Sequence, residues 1–268
     1  MSALPPGTIL QLMYLRERLG NIEPGRFIEV GPGSGEVSGL LLELGWEGRS
    51  YDLEIRTTQR IRRRFSREIW EGRYKTSTED FLFTSESSFN KVDLIISCMV
   101  IEHLSDDLAD KFMQRSSELL RDDGLMIGLV PSSPAHWGIE DDIAGHYRRY
   151  TRESVLSLTC NNGYELRHLA GLTYPISNIL LPISNFLVRR AEKSKLIMSD
   201  IEKTKASGIR DVRFKTTFPN ILSLVLNRFF LLPLYWLQKA FSSSSNSLVL
   251  YFEAVPQRLK NEGHRACQ

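Results

Sequence analysis

Apolar and polar residues along the first part of the chain follow the spacings of short buried strands and amphipathic helices. Residues 7–19 carry Ile9, Leu12 and Met13 at helical spacing, which predicts a leading helix. Six strands are predicted further on, most of them separated by helices, in the stretches GRFIEVG, GRSYDLE, YKTSTEDF, KVDLIISCMV, LMIGLV and YELRHLAGL. Such alternation favours an α/β fold with a mostly parallel sheet and helices on both faces.

The pattern changes after residue 173. Residues 174–245 hold apolar helical stretches around a charged link, and residues 246–256 predict one more strand before a polar tail at 257–268. A strand that returns after so long a detour indicates a helical insertion in the core of residues 1–173, not a second domain. The apolar segment Phe218–Phe241 is interrupted by charge and proline and falls short of the ~20 apolar residues of a spanning helix.

Composition narrows the function only slightly. The 268 residues are 42% hydrophobic and 25% charged, and the net charge of +2 is too small to indicate nucleic acid as a partner. Cys98, Cys160 and Cys267 show neither metal-ligand spacing nor an even disulfide framework, and the first residues lack the features of a signal peptide. We therefore expect a cytoplasmic protein.

The loop after the first strand, EVGPGSGEVSG, predicts a ligand site. Gly31, Gly33 and Gly35 leave bare backbone between a strand and a helix. A dinucleotide fingerprint would have its third glycine at Glu36, and the two carboxylates Glu29 and Glu36 would repel a pyrophosphate. No Gly-Lys-Ser/Thr follows, which excludes a P-loop. A ligand with a cationic centre and ribose hydroxyls but no phosphates, such as S-adenosylmethionine, fits better.

Acidic residues at the ends of the next two strands suit such a ligand. Asp52 ends the second strand, where a carboxylate can accept both ribose hydroxyls, although NAD would use the same placement. Glu79, Asp80 and Phe81 end the third strand and are candidates to meet the adenine amine and ring.

These segments together resemble class I S-adenosylmethionine-dependent methyltransferases. EVGPGSG is similar to the first motif of that family, YDLE to its ribose-binding motif, TEDF to its adenine-binding motif and VDLIISCMVIEHLSDD to its fourth-strand segment. The resemblance covers residues 26–171 and resumes at LVLYFEAV. It implies a Rossmann-like seven-stranded sheet, whose last strand is antiparallel and lies between the fifth and sixth. It also places Cys98 and His103 beside the cofactor, with His103 as a further catalytic candidate.

The chain departs from the family pattern at the third strand. The expected acidic residue comes late, as Glu79 or Asp80, and the sequence leaves open which of the two meets adenine.

The acceptor site is predicted in the loop after the fifth strand, PSSPAHWGIEDDIAGHYRRYT, because polar and aromatic residues are dense at the carboxyl end of a strand. Its GHYRRYT segment resembles a subset of bacterial class I enzymes that look suited to saccharides or other small cell-envelope metabolites. His146 is the candidate base and Asp142 its orienting partner. His136, Trp137, Tyr147 and Arg148 are expected to line the substrate site, with Arg148 and Arg149 holding an anionic group. A structural alternative is that HYRRYT mainly caps the next helix.

Other interpretations remain at this stage. The segment RTTQRIRRRFSREIW favours a solvated basic helix face, with RNA binding as the alternative. We expect no metal, a site built from Asp141, Asp142 and His146 being the less favoured alternative.

The favoured function is O-methylation of a small or lipid-linked saccharide or similar metabolite. A non-catalytic scaffold and an RNA methyltransferase are the alternatives. The insertion is a cap, a homodimer surface or a peripheral contact with the inner face of a membrane.

Overall fold

The computed structural model of the protein describes residues 3–84, 91–192 and 218–257. Its centre is a seven-stranded sheet in the order β3-β2-β1-β4-β5-β7-β6, in which β7 is antiparallel to both neighbours and all other pairs are parallel. The strands are β1 Arg26–Val30, β2 Glu47–Tyr51, β3 Tyr74–Ser77, β4 Val92–Cys98, β5 Leu120–Pro131, β6 Tyr164–Leu172 and β7 Val249–Pro256. The predicted fold class, including the position of the antiparallel last strand, is confirmed.

The helices lie between the strands in the order expected for crossover connections. They are α1 Pro6–Leu19, α2 Glu36–Glu43, α3 Ile55–Arg64, α4 Ser66–Trp70, α5 Asp106–Leu119, α6 Ile139–Ala144, α7 Arg152–Asn161, α8 Ile176–Glu192 and α9 Leu232–Ala240. Short 3₁₀ turns occupy Ile101–His103, Pro134–His136 and Asn220–Leu224. Neighbouring strands β1 and β4 start crossovers in opposite directions, and ligands of open α/β sheets bind at the carboxyl ends of such strands.

The sheet is buried on both faces. Successive residues of a strand point to opposite sides, so Phe27 of β1 packs in one apolar cluster with Leu41 and Trp46, while Ile28 packs in the other with Phe112. This double burial explains why β4 and β7 are mostly apolar, whereas β2 and β3, nearer one edge of the sheet, carry more polar residues.

Two elements differ from the predicted pattern. Strand β5 begins at Leu120, five residues before the predicted LMIGLV stretch, because Leu120 pairs with Val92 before an irregularity in the ladder. The arginine-rich segment forms two helices, with a break at Phe65, whose backbone (φ −113°, ψ 34°) leaves the helical region. The basic residues therefore do not share one continuous helix face.

The helices of the insertion pack on the core from two directions. Gln238 of α9 is buried, accepts a hydrogen bond from the Thr173 amide (2.8 Å) and donates to the Leu10 carbonyl (3.1 Å). Helix α8 contacts α6, where the Ser184 hydroxyl donates to Glu140 (2.5 Å). Most of the charged link lies outside the described residues, and the domain boundaries stay a prediction. Within the described ranges, no helix combines the length and apolar character needed to cross a membrane.

Candidate active site

The glycine loop joins β1 to α2 at the carboxyl edge of the sheet. Gly31, Gly33 and Gly35 have φ values of +72°, +53° and +85°, in the left-handed region that disfavours other residues. A Cβ on Gly31 would lie 2.4 Å from Val100, and one on Gly35 would lie 2.7 Å from Ile61, whereas one on Gly33 would meet no described atom within 4 Å. Two glycines therefore permit close packing, and the third leaves open space for a ligand against the backbone.

Helix α3 fixes the shape of this loop. Arg60 donates to the Gly33 carbonyl (2.9 Å), and Arg64 donates to the Ser34 carbonyl (2.7 Å) and pairs with Glu36 (2.6 Å). Two arginines of the segment that suggested RNA binding are thus engaged with the loop that would hold the cofactor. Nothing in the sequence pattern marked them for this role, since it depends on how α3 lies across the loop.

Two carboxyl groups flank the loop. Asp52 follows β2 directly and is half-buried, with Oδ1 accepting from the Glu54 amide (2.9 Å). Burial raises the pKa of Asp52 to about 6. Glu29 is buried inside β1, where the Ser38 hydroxyl donates to it, and burial raises its pKa to about 7. Asp52 lies at the strand end where the ribose was predicted, and that assignment stays a prediction. Glu29, also predicted to bind the cofactor, is buried and accepts from Ser38 of α2.

The predicted adenine residues follow β3 in a turn. Glu79 is exposed, and Asp80 caps the turn by accepting from the Leu82 amide (2.9 Å). Phe81 is 3% exposed, with its ring 5.8 Å from Tyr51 and 5.4 Å from Phe112. In this arrangement Phe81 is a core residue, and Glu79 has the freest approach to a ligand. The adenine assignment stays a prediction.

Strained backbone marks the carboxyl ends of three strands that run in the same direction, β4, β5 and β6. Met99, Ser133 and Thr173 have φ values of +56°, +61° and +70°, which are uncommon outside glycine. Such strain concentrates at functional sites. Cys98, the last residue of β4, lies beside this strained position, and burial raises the pKa of its thiol to about 12. The thiol is therefore uncharged at neutral pH.

His146 lies at the centre of a hydrogen-bonded network. Its Nδ1 is 2.8 Å from Asp141 Oδ1, and Arg149 donates to both oxygens of the same carboxylate (2.9 and 3.0 Å). Burial by itself raises the pKa of Asp141, but hydrogen bonds from His146 and Arg149 outweigh it and hold that pKa below its usual value. The predicted partner was Asp142, which instead accepts from the Trp137 indole (2.9 Å). The orienting carboxylate is Asp141, because the turn of α6 directs residue 141 inward and leaves Asp142 exposed.

The other nitrogen of His146 faces a buried cluster. Nε2 is 3.9 Å from Oε1 of Glu102, and the rings of His103 and His146 meet edge to face at 4.7 Å. Glu102 is 0% exposed, and neither carboxylate oxygen has a hydrogen-bond partner on another described residue. Burial raises the pKa of Glu102 to about 8 and lowers that of His103 to about 3. One potential ligand atom from each of the three residues lies within 4.8 Å of the others.

Most of the predicted substrate residues have partners inside the protein. His136 contacts the Ser133 hydroxyl (2.8 Å) and Asn178 (3.4 Å), and Trp137 is 43% exposed. Arg148 pairs with Asp106 and donates to the Leu104 carbonyl (3.0 Å). The Tyr147 side chain is 55% exposed, and its amide donates to the Glu102 carbonyl (2.8 Å).

The GHYRRYT segment also has a structural role, in addition to the predicted acceptor site. Thr151 caps α7 by accepting from the Ser154 amide (3.2 Å), and Tyr150 is 3% exposed. Arg149 is committed to Asp141 and to the Ser132 carbonyl (3.0 Å), so its contacts are structural. Anion binding by Arg148 stays a prediction.

Two residues of the network were not predicted in these roles: Glu102 was not assigned at all, and Asp141 was named only in the less favoured metal site. Glu102 precedes His103 at the end of a buried strand, and that adjacency was the available signal. Asp141 had no signal to separate it from Asp142, because either could face His146 until the turn of α6 is known.

The sheet order, the open glycine loop and the carboxylate after β2 are those of a Rossmann-like fold that binds a nucleoside-containing cofactor at the carboxyl edge of the sheet. A family model described as a methyltransferase domain matches residues 9–173. The chain belongs to this methyltransferase family. It is an S-adenosylmethionine-dependent methyltransferase, and the open space at Gly33 and the half-buried Asp52 fit that cofactor.

Solved structures show the same fold at low sequence identity. A phosphoethanolamine N-methyltransferase 2 from Haemonchus contortus has a TM-score of 0.56 at 16% identity, covering 92% of this chain and 52% of its own. The glycopeptide N-methyltransferase MtfA has 0.53 at 12%, covering 94% and 91%. Magnesium protoporphyrin IX methyltransferase from Synechocystis PCC 6803 has 0.51 at 15%, covering 62% and 77%. A search of curated protein sequences gives no match.

Proposed function

We propose that the protein methylates a hydroxyl oxygen of a small or lipid-linked saccharide. The observation that carries this proposal is the His146–Asp141 pair beside the buried Glu102, at the carboxyl ends of β4 and β5. Hydroxyl methylation needs a group that deals with the proton, whereas an amine acceptor can arrive deprotonated. A histidine held by a carboxylate at the predicted acceptor loop suits a hydroxyl.

The cofactor side of the site is assigned to the loops after β1, β2 and β3. When bound, S-adenosylmethionine supplies a methyl group on a positively charged sulfur. Asp52 would accept the ribose hydroxyls, Glu79 or Asp80 the adenine amine, and the backbone at Gly33 would lie against the methionine part. Arg60 and Arg64 hold that backbone in place. Methyl transfer is an in-line displacement, so alignment is the main task of these residues.

On the acceptor side, deprotonation is assigned to His146. Asp141 fixes the ring through Nδ1, which turns Nε2 toward Glu102, and the acceptor hydroxyl is assigned to this side of the ring. Arg149 neutralises Asp141 and ties it to the Ser132 carbonyl. Trp137 and Tyr147, both exposed on the same loop, are suited to pack against a sugar ring.

The lipid-linked part of the proposal depends on α8. Ile179, Ile183 and Phe186 follow helical spacing and are 68%, 61% and 64% exposed, which makes an apolar stripe on a helix that contacts the acceptor loop. Arg189 and Arg190 extend the stripe with exposed cations. An apolar face bordered by basic residues suits the surface of an anionic membrane. We propose peripheral membrane contact there, at the cytoplasmic face.

The RNA alternative is less well supported than the sequence suggested. Arg60 and Arg64 serve the glycine loop, and the break at Phe65 divides the basic segment. The remaining exposed arginines, such as Arg56 and Arg63, are typical of a solvated surface.

The test is transfer of a labelled methyl group. Purified protein is incubated with methyl-labelled S-adenosylmethionine and separated fractions of a bacterial extract, and labelled products are identified by mass. Label in a saccharide or lipid-linked saccharide, at oxygen, supports the proposal. Label confined to RNA, to protein or to a nitrogen atom would overturn it.

A further inference from the structure

The carboxyl group of Glu102 is fully buried, and no hydrogen bond to another described residue explains its burial. A buried carboxylate that lacks a hydrogen-bond partner is costly, and such groups are normally paired or coordinate a metal. Arg149, whose charge lowers the pKa of Glu102, is bonded to both oxygens of Asp141 instead. Among the described residues, neither oxygen of Glu102 therefore has a hydrogen-bond partner on another residue, and Oε1 lies 3.9 Å from His146 Nε2.

The histidines around Glu102 are arranged as metal ligands usually are. A ligating histidine commonly has its second ring nitrogen held by a carboxylate or a backbone carbonyl, which fixes the ring orientation. His146 has Asp141 on Nδ1, which leaves Nε2 on the side of Glu102. His103 is hydrogen-bonded by the backbone of Ala144 and Gly145. Both rings are thus oriented from outside the cluster.

The distances suit one ion. Ligand atoms about 2.1 Å from a shared ion lie at most about 4.2 Å apart. Glu102 Oε1 and His146 Nε2 are 3.9 Å apart, and all three candidate ligand atoms lie within 4.8 Å of one another. A small inward movement of the side chains brings the whole set into range. The His146 side chain keeps 13% of its surface exposed, and Glu102 is fully buried.

We propose that Glu102, His103 and His146 bind a divalent transition-metal cation. Two imidazoles and one carboxylate suit zinc, manganese or iron and leave coordination positions open. Asp141 is a positioning residue in this site, since it acts through His146. Binding of the cation does not depend on the proposed saccharide acceptor.

The catalytic consequence does rest on the proposed function. An acceptor hydroxyl bound to the cation has a lowered pKa, so its O–H bond breaks with the electron pair left on oxygen and the proton passes to solvent water. The oxygen then forms a bond to the methyl carbon as the carbon–sulfur bond breaks and its electron pair stays on sulfur. In this form His146 Nε2 acts as a ligand, and the cation supplies the acidity that a free base would otherwise provide.

The test measures metal binding without cofactor or acceptor. Tag-free protein is treated with EDTA and titrated calorimetrically with Zn²⁺, Mn²⁺ and Co²⁺, and the Co²⁺ form is examined for ligand-field absorption. We expect about one equivalent bound, with affinity at least tenfold lower in Glu102→Gln and in His103→Ala. His136→Ala is the matched control, because His136 lies on the same loop and its ring contacts Ser133 and Asn178. It should bind like wild type.

Retained binding of S-adenosylmethionine by each variant shows that it is folded. If a variant does not fold, titration of wild-type protein and its cobalt spectrum decide the question. No binding of any of the three ions by wild type, or equal binding by all folded variants, overturns the metal site. Undiminished methyl transfer by EDTA-treated protein overturns the catalytic role of the metal ion and leaves the proposed function unaffected. Metal binding without transfer to any saccharide would overturn the proposed function alone.

Discussion

At the scale of single residues, the ionisation of Asp52 is expected to control cofactor binding. Burial raises its pKa to about 6, and ribose hydroxyls donate best to the charged form. Below pH 6 the carboxyl is protonated, and binding the cofactor must first remove that proton. We expect affinity for S-adenosylmethionine to fall about tenfold between pH 7.5 and pH 5, measured by calorimetry, since one pH unit corresponds to about 1.4 kcal/mol.

Asp52→Asn separates this residue from the other titrating groups. The variant should bind about 1.5–3 kcal/mol more weakly at pH 7.5, the scale of hydrogen bonds to a charged group. Its affinity should change little with pH, because the amide does not titrate in this range. A wild-type profile that is flat from pH 5 to 7.5 would contradict the assignment of Asp52 to the ribose.

His146 is the second residue with a sharp expectation. His146→Ala should lower turnover about 10²-fold or more, because the variant lacks the proposed base and, with a cation bound, one of its ligands. Cofactor affinity should stay near that of wild type, since His146 lies on the acceptor side. His168→Ala is a suitable control: that histidine is bonded to Tyr14, away from the loop. Full activity of His146→Ala, or loss of cofactor binding, would reject the role.

At the scale of elements, α3 is expected to act as a clamp on the glycine loop. The double variant Arg60→Gln and Arg64→Gln removes the hydrogen bonds to the Gly33 and Ser34 carbonyls, each worth about 0.5–1.5 kcal/mol. Affinity for S-adenosylmethionine should drop by about 1–2 kcal/mol in calorimetry, with thermal stability changed less.

The matched control changes two exposed arginines of the same helix, Arg56 and Arg63, to glutamine. The charge lost is the same, so a purely electrostatic effect would appear in both double variants. An equal loss of cofactor affinity in both double variants would mean that the hydrogen bonds from Arg60 and Arg64 do not hold the glycine loop in place.

Strand β7 is the element that closes the fold. It pairs with β5 and β6, its residues from Val249 to Ala254 are buried, and Glu253 pairs with Arg18 of α1 (2.7 Å). Truncation after Ser245 should therefore abolish cooperative unfolding, followed by circular dichroism. Truncation after Gln257 should leave it nearly unchanged, because that cut spares the whole strand. A cooperative transition in the shorter chain would show that β7 is dispensable.

At the scale of the whole molecule, the exposed apolar residues of the insertion give one side of the protein a distinct surface. Phe229, Phe230 and Trp236 are 74%, 64% and 58% exposed, and Arg228 and Lys239 lie over neighbouring rings. The protein should float with anionic liposomes at low salt and be released at high salt, because screening weakens its attraction to the headgroups.

Serine at those three positions should abolish flotation and leave cofactor binding intact. The control is Trp70→Ser, which changes an 87% exposed aromatic residue on α4. Wild-type protein that stays unbound at every salt concentration and is dimeric in solution would assign the surface to a homodimer.

The order and type of the core elements could be predicted from the amino-acid sequence alone. The strands are buried on both faces and the helices on one, and these two kinds of burial leave distinct spacings of apolar residues. The glycine loop and Asp52 were also visible, because a bare backbone and a strand-end carboxylate occupy fixed positions along the chain in this fold. The insertion of residues 174–245 before β7 was also predicted, from a change in the spacing of apolar residues after residue 173.

The contacts between side chains of the site could not be predicted from the sequence, because they depend on the three-dimensional arrangement of the loops. The turn of α6 decides that Asp141, and not Asp142, contacts His146. The position of α3 across the glycine loop decides that Arg60 and Arg64 bind it. The placement of two strand ends brings Glu102 close to His103 and His146. Residues 102 and 146 come from different loops, and periodicity in a sequence records burial within one element but not contacts between elements. The chemistry of the site depends on those contacts between loops, so it could be assigned only from the folded structure.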